Sequence, residues 1–168
     1  MRVAWAGIMA GLLLWAQVPV KLPMGASGRV QYEDGGEAEG ATARELLSRA
    51  RSWARDRLAS TATECDQNAE RCLLAKGSFR VARPKGPPAV AAYELAIAFE
   101  DGRYRVLLGA IEVVEGSPSG PIERSLRADG APLGNVWLVE SVDRQARLVL
   151  ADLREALTGR LSAREHAP

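Results

Sequence analysis

The sequence predicts an α+β domain with the element order β-α-β-β-β-β-α, in which two helices pack on one face of an antiparallel sheet. The first observation is a pair of runs rich in apolar and β-favouring residues on either side of Asp101-Gly102, within residues 88–115. The second is a pair of amphipathic helical patterns, one at residues 42–58 and one after Asn135. The third is the strongly apolar face of the hairpin, which needs helices to cover it.

Length and composition are typical of one ordinary globular domain. The chain has 168 residues, of which 47% are hydrophobic and 26% are charged, and it is long enough to bury a core. The formal net charge is +1. Because a nearly neutral chain has no long-range field to gather phosphates, we expect no nucleic-acid partner.

Residues 1–26 are interpreted as a signal peptide. A basic second residue precedes an apolar stretch at residues 3–16, and Ala16 and Ala26 are small residues at which a peptidase could cut. The alternative is an uncleaved membrane anchor, because the apolar run is almost long enough to span a bilayer. Cleavage is favoured because Pro19 and its polar neighbours interrupt the run. We therefore expect an exported mature protein, periplasmic or extracellular, without a stable membrane span.

The first strand and the first helix come directly after this segment. Residues 28–33 predict a short strand, and Thr42 with Glu45 fits a capping box at the start of a helix. Apolar residues then recur at helical spacing: Leu46, Ala50, Trp53, Ala54 and Leu58. The arginines of this helix lie on its other faces and are interpreted as a solvated surface.

The central hairpin sets the predicted register, after two shorter β-compatible runs at residues 60–64 and 71–82. Asp101-Gly102 favours a type I′ turn with positive φ at both residues, so Glu100 faces Arg103. Because side chains alternate along a strand, one apolar face then holds the pairs Phe99–Tyr104, Ile97–Val106, Leu95–Leu108 and Tyr93–Ala110. The opposite face carries Glu94, Ala96, Ala98, Glu100, Arg103, Arg105, Leu107 and Ile111.

The last part of the chain holds a long connection and the second helix. Residues 116–134 show no periodicity and predict either a mobile connection or a functional lid. Asn135 is placed to cap the final helix, along which Val139, Val142, Ala146, Val149, Leu153 and Ala156 repeat at steps of three or four. Thr158-Gly159 ends that helix. The predicted organisation is therefore one domain at residues 27–159 and a flexible tail at residues 160–168.

Several of these features together resemble a known family. They are the element order, Trp53 in the first helix, Lys76-Gly77 in the third strand, and the hexapeptide EDGRYR at residues 100–105. The chain is similar in these respects to an exported bacterial family of domains of unknown function that have a TATA-binding-protein-like fold. The resemblance covers roughly residues 29–115 and, loosely, the final helix. It implies the fold but no activity and no catalytic residues, since the fold name describes a shape rather than DNA binding.

Cys65 and Cys72 are the two cysteines of the chain, and three states are open to them. In an exported protein, an even pair across a short connection is typical of a disulfide that joins a hairpin. The alternatives are free thiols, or a redox or metal site. A zinc site needs two more ligands, which the single histidine, His166 in the tail, does not supply. The disulfide is the favoured interpretation.

No residue pattern indicates catalysis, a metal or a cofactor, so we expect a protein that is not an enzyme. A hydrolase would need a positioned base, and His166 lies in the predicted tail. The carboxylates of the hairpin, Glu94, Glu100, Glu112 and Glu115, are more simply paired with arginines or solvated.

The second face of the hairpin carries the functional hypothesis. Ala96, Ala98, Arg105 and Leu107 form a half-apolar surface, whereas a sheet face open to water is normally more polar. We therefore expect a binding or envelope-accessory domain whose sheet face contacts a protein partner or a second copy. The alternative is a carrier of a small apolar ligand between the sheet and the last helix. A continuous cavity lined by Leu95, Ile97, Val106 and helix residues would favour the carrier.

Overall fold

The computed structural model describes residues 20–58, 62–67 and 70–159. Their element order is strand, helix, four strands, a two-residue strand, a 3-10 turn and a final helix. The bounds are β1 Gln31–Glu37, α1 Ala43–Arg57, β2 Thr63–Gln67, β3 Glu70–Val81, β4 Ala89–Glu100, β5 Arg103–Glu115, β6 Gly120–Pro121, the 3-10 turn Ile122–Ser125, and α2 Val136–Thr158. The predicted α+β order is confirmed, and β6 is an addition to it.

Three predictions fall wholly or partly outside the described residues. They are most of the signal peptide (residues 1–19), the start of the strand predicted at residues 60–64, and the tail at residues 160–168. The strand predicted at 28–33 begins and ends later, as β1, and the one predicted at 71–82 corresponds to β3.

The six strands form one sheet in the order β1-β5-β4-β3-β2, and each neighbouring pair is antiparallel. The hairpin β4–β5 therefore lies in the middle, β1 and β2 form the two sides, and β6 pairs with the end of β5. This arrangement places the strands that the sequence pairs most clearly at the centre of the fold.

Both helices cover the same face of the sheet, as predicted. Tyr93, Leu95, Ile97 and Phe99 of β4 are all at most 2% exposed, and the apolar side of α2 is equally buried. Trp53 of α1 joins the two helices, because its indole N–H donates to Asp152 Oδ2 of α2 at 2.8 Å. The core thus lies between this face of the sheet and the helix pair.

The start of α1 forms the predicted capping box. The Glu45 N–H donates to Thr42 Oγ1 at 3.2 Å, and the Thr42 N–H donates to Glu45 Oε2 at 2.7 Å. These two bonds satisfy backbone donors that a helix leaves unpaired at its start. The start of α1 is therefore fixed locally, by the four residues from Thr42 to Glu45.

The turn between β4 and β5 differs from the predicted type I′. Gly102 has φ of 79°, but Ala110 is the one non-glycine residue with positive φ among the described residues, so Asp101 does not have it. The reason is tertiary. Asp101 Oδ1 accepts from the Ala43 N–H at 2.8 Å, and the Gly102 N–H donates to Ala41 O at 2.8 Å. The start of α1 thus holds the turn, and the predicted Glu100–Arg103 pairing is retained.

A bulge in β5 corrects the far end of the predicted register. The pairs Phe99–Tyr104, Ile97–Val106 and Leu95–Leu108 are confirmed, but Tyr93–Ala110 is wrong. Glu94 pairs with Gly109 while Ala92 pairs with Glu112, so β5 contains one extra residue at this point, where Ala110 has φ of 50°. Because the extra residue reverses the alternation, Ile111 is 1% exposed and lies in the core. Its predicted place on the opposite face is wrong.

Residues 116–134 have their own secondary structure and contacts. Besides β6 and the 3-10 turn, Glu123 Oε1 accepts from the Val30 N–H at 2.8 Å. Gly130 O accepts from the Leu22 N–H at 3.0 Å, and Leu22 is 2% exposed. Leu22 and Val30, on either side of the predicted boundary after residue 26, therefore both contact this segment.

The end of the final helix follows the prediction, whereas the predicted side-chain cap at its start is not formed. Gly159 has φ of 77° and closes α2 in a left-handed conformation. Asn135 stands at the N-cap position, but its side chain makes no capping hydrogen bond, so that prediction is wrong. The buried side of α2 includes Leu150 and Leu157, whereas Val149 is only half-buried. Within the described residues, no helix has the length and apolar character needed to cross a membrane.

Candidate functional site

The face of the sheet turned away from the helices is called the open face here. It consists of the alternate side chains of the strands around Ala96. The strand register places five residues in one row across it, one from each strand from β1 to β2: Glu33, Leu107, Ala96, Leu74 and Thr63. The row thus contains two leucines with a small residue between them.

The two leucines stand out of the sheet on either side of Ala96. Leu74 is 44% exposed and Leu107 is 38% exposed. Since adjacent strands lie about 4.8 Å apart, the two side chains are roughly 10 Å apart across β4. Ala96 fills little of that gap, so the row has a hollow with an apolar wall on each side.

The next row contains the disulfide. Arg105, Ala98 and Cys72 are aligned on β5, β4 and β3, and Cys72 pairs directly with Cys65 of β2. The Cys65–Cys72 disulfide is present, with 4.9 Å between the two Cα atoms, and its prediction is confirmed. The bond therefore links β2 to β3 and adds a sulfur surface beside Ala98.

Charged pairs border this apolar centre at both ends of the strands. At the turn end, Glu100 pairs with Arg103 and lies 3.6 Å from an Arg105 nitrogen. At the other end, Lys76 Nζ lies 2.9 Å from Glu94 Oε1. Each acid in these pairs is on β4 and each base is on a neighbouring strand. The border is therefore charged but balanced.

Two hollows lie on the open face and share the Leu74, Ala96 and Leu107 surface. One has a volume of about 670 Å³ and extends toward residues 27–31. The other has a volume of about 320 Å³ and extends over the disulfide and Arg105. A shallow apolar surface with a polar border has the composition of a protein interface centre.

All four predicted binding residues lie on this surface together. Ala96 and Ala98 are half-buried, and Arg105 and Leu107 are exposed. Sequence reasoning missed Leu74 and the position of the disulfide, both of which belong to the same surface. Their signal was the alternation in β3, where Leu73 is 1% exposed and Leu74 is 44% exposed. Two adjacent leucines gave no indication of which one faced the helices.

The space predicted for an apolar ligand between sheet and helix is filled. Leu95, Ile97 and Val106 are 1%, 1% and 4% exposed, and Val142 and Leu153 of α2 are at 0%. A cavity large enough for a water molecule would leave exposed surface on the side chains that line it. The described residues on this side therefore form a solid core, which disfavours a carrier.

Burial raises the pKa of buried phenols on the core side of the sheet. It raises the pKa of Tyr93 to about 12. Burial, then the nearby Asp143 carboxylate, also raises the pKa of Tyr32, whose hydroxyl donates to Asp143 Oδ1 at 3.1 Å. This hydrogen bond joins β1 to α2, and a second link, between Asp34 and Arg154 at 2.7 Å, lies near it. These polar contacts hold the helix on the sheet.

The described residues contain no group of three or more His, Cys, Asp or Glu side chains placed to hold a metal ion. The chain matches no known protein family and no curated protein. Solved structures similar to it include two bacterial proteins. One is a TBP-like protein from Parabacteroides distasonis, with a TM-score of 0.64 and 14% identity over 80% of this chain and 96% of that one.

The other is a DUF4468 family protein from Bacteroides ovatus, also with a TM-score of 0.64 and 14% identity, over 88% of this chain and 91% of that one. Both likenesses show the fold, a TATA-binding-protein-like α+β arrangement in bacterial proteins, and so confirm what the resemblance implied. At this level of identity they carry no activity.

Proposed function

We propose that this domain is a non-enzymatic binding or envelope-accessory module whose open face contacts a protein partner. The observation that carries the proposal is the row in which Leu74 and Leu107 are left 44% and 38% exposed around Ala96. Exposed apolar surface of this kind, bordered by charges, tends to mark interaction sites on soluble proteins. The disulfide and Ala98 extend the same surface.

The charges of the molecule support a protein partner over a nucleic acid. Lys76, Arg103 and Arg105 on the open face lie beside acids, and three of the five arginines of α1 have partners too. Arg49 donates to Leu157 O at 2.7 Å, Arg51 pairs with Glu64, and Arg57 Nε lies 3.3 Å from Asp152 Oδ2. Because Lys76, Arg103 and Arg105 already lie beside carboxylates on the open face, a phosphate backbone would gain little from these three bases.

Export is a second part of the proposal, supported by the disulfide and by the apolar segment at residues 3–16. Disulfides persist in oxidising compartments outside the cytoplasm. If a leader is removed, we expect cleavage near Ala16 rather than Ala26, since Leu22 and Val30 pack in the domain. Intact-mass analysis of protein from the envelope checks this. A full-length mass would indicate an anchor instead.

A capture experiment tests the proposed contact surface. Leu107→Asp adds a charge to the open face without entering the core, so we expect it to fold and to lose the partner. Leu148→Asp is the matched control, because Leu148 is 55% exposed on α2, far from the open face. Both variants and the native protein are immobilised and exposed to envelope extract. The proposal requires a protein that native and Leu148→Asp capture but Leu107→Asp does not, and equal capture by all three contradicts it.

A further inference from the structure

We infer that the occupant of the open face is a second copy of this chain, in a face-to-face dimer. The inference rests on the proposed function and names its partner. Its basis is that the open face is complementary to itself when one copy is turned over and shifted sideways by one strand.

The shape of the face is the first argument. The central strand β4 carries the small residues Ala96 and Ala98, whereas its neighbours carry the protruding leucines, Leu74 on β3 and Leu107 on β5. A two-fold axis parallel to the strands and halfway between β4 and a neighbour places a leucine of each copy over Ala96 of the other. The contact between a leucine and Ala96 then occurs twice, because a two-fold axis repeats every contact in an isologous interface.

The charges follow the same pattern and are the second argument. On the open face β4 carries the acids Glu94 and Glu100, while the flanking strands carry the bases, Lys76 on β3 and Arg103 and Arg105 on β5. With the axis between β4 and β5, the shift places Arg103 of each copy over Glu100 of the other, and with the axis between β4 and β3 it places Lys76 over Glu94. A copy stacked without the shift would place Glu94 over Glu94, which like-charge repulsion disfavours.

The size of the face is the third argument. After the one-strand shift four strands of each copy overlap; at about 4.8 Å per strand, with four rows of alternate residues about 7 Å apart, they make a contact of roughly 20 Å by 20 Å. Burying it on both copies removes on the order of 1,000 Å² from water, which is the low end for a specific interface. Two sheets stack about 10 Å apart with side chains interleaved, which the leucines and the hollows allow. A dimer that dissociates on dilution is therefore expected, rather than a permanent one.

Sedimentation velocity of the purified protein over a wide concentration range tests the dimer. We expect the native protein and Leu148→Asp to shift from monomer toward dimer mass as concentration rises. Leu107→Asp should weaken the association by about tenfold or more, because its carboxylate would face the apolar row of the other copy. A native protein that stays monomeric at every concentration, or a Leu107→Asp variant that dimerises as well as the native one, overturns the inference.

A photo-crosslinking amino acid in place of Glu94 separates this inference from the proposed function. The Glu94 side chain is 59% exposed on the open face, so a probe there leaves the core intact. A crosslinked product of twice the chain mass, in cells that express the protein, supports the dimer. A crosslink to a different protein overturns the dimer while supporting a protein-binding face. Crosslinking to no protein at all contradicts both.

Discussion

The two faces of the sheet differ more in solvent exposure than in residue type. Leu107 and Leu108 are neighbours in β5, yet Leu107 is 38% exposed and Leu108 is 0% exposed, and Leu73 and Leu74 of β3 repeat the contrast at 1% and 44%. The helices bury one leucine of each pair and leave the other in water. Residue type alone therefore does not assign a role to these leucines. Strand alternation and helix position together decide which leucine stabilises the fold and which remains exposed.

The largest expected effect comes from placing the same charge on each face of the sheet. Leu108→Asp buries a carboxylate without a partner, so we expect it to lower the free energy of unfolding by more than about 4 kcal/mol and to prevent folding. Leu107→Asp should change it by less than about 1 kcal/mol. Urea denaturation followed by circular dichroism measures both. Equal losses would show that the open face is also core.

A smaller effect is expected from adding a methyl group on the core side of β3. Gly77 faces the core, where a β-carbon would collide with the ring of Tyr93, which stacks on Phe79 at 5.3 Å between ring centres. Gly77→Ala should therefore destabilise the domain by about 1–3 kcal/mol. Ser78→Ala, at the next, exposed position, is the control and should be nearly neutral. If both variants melt at the native temperature, the crowding at Gly77 is not present.

Breaking the disulfide changes the open face while leaving the core in place. The paired variant Cys65→Ser with Cys72→Ser should lose about 2–3 kcal/mol, because the bond closes only a short loop. Thermal unfolding compares it with the native protein, and thiol labelling of unfolded, unreduced native protein should find no free cysteine. Two labelled thiols would contradict the pairing. If the sulfur surface contributes to binding, the paired variant also associates less well while remaining folded.

The smallest effect is expected at high pH, where tyrosine side chains lose their protons. The sequence has three tyrosines, and all of them are on the buried side of the sheet. Burial raises the folded pKa of Tyr93 to about 12, above the ordinary value of 10.0. A raised folded pKa stabilises the protein below the unfolded pKa, and this contribution is lost as the pH rises from about 10 toward 12. We expect tyrosinate absorbance to appear together with loss of helix signal. Ionisation at pH 10 in a fully folded protein would place a tyrosine in contact with water.

Local sequence patterns were sufficient for most of the architecture. The capping box of Thr42 and Glu45, the apolar spacing of both helices and the pairing around Asp101-Gly102 each depend on residues a few positions apart. The steric and hydrogen-bonding preferences of such neighbours act before any tertiary contact. The two cysteines, close in sequence across a short connection, were paired correctly for the same reason. Half of the proposed binding surface, at Ala96, Ala98, Arg105 and Leu107, followed from alternation along one hairpin.

Other features of the fold depend on contacts between distant parts of the chain. The bulge at Ala110 places Ile111 in the core, and its one local signal is the neighbouring Gly109, since an isolated glycine in a strand indicates a bulge or a close backbone approach. A β-carbon on Gly109 would come within 3.2 Å of Val30 O, a contact between residues far apart in the chain. The conformation of Asp101 depends on hydrogen bonds to the start of α1. The place of Leu74 beside Ala96 depends on how β3 registers against β4. Sequence determines which faces each element can offer, whereas packing between elements far apart in the chain determines which of those faces remains in water.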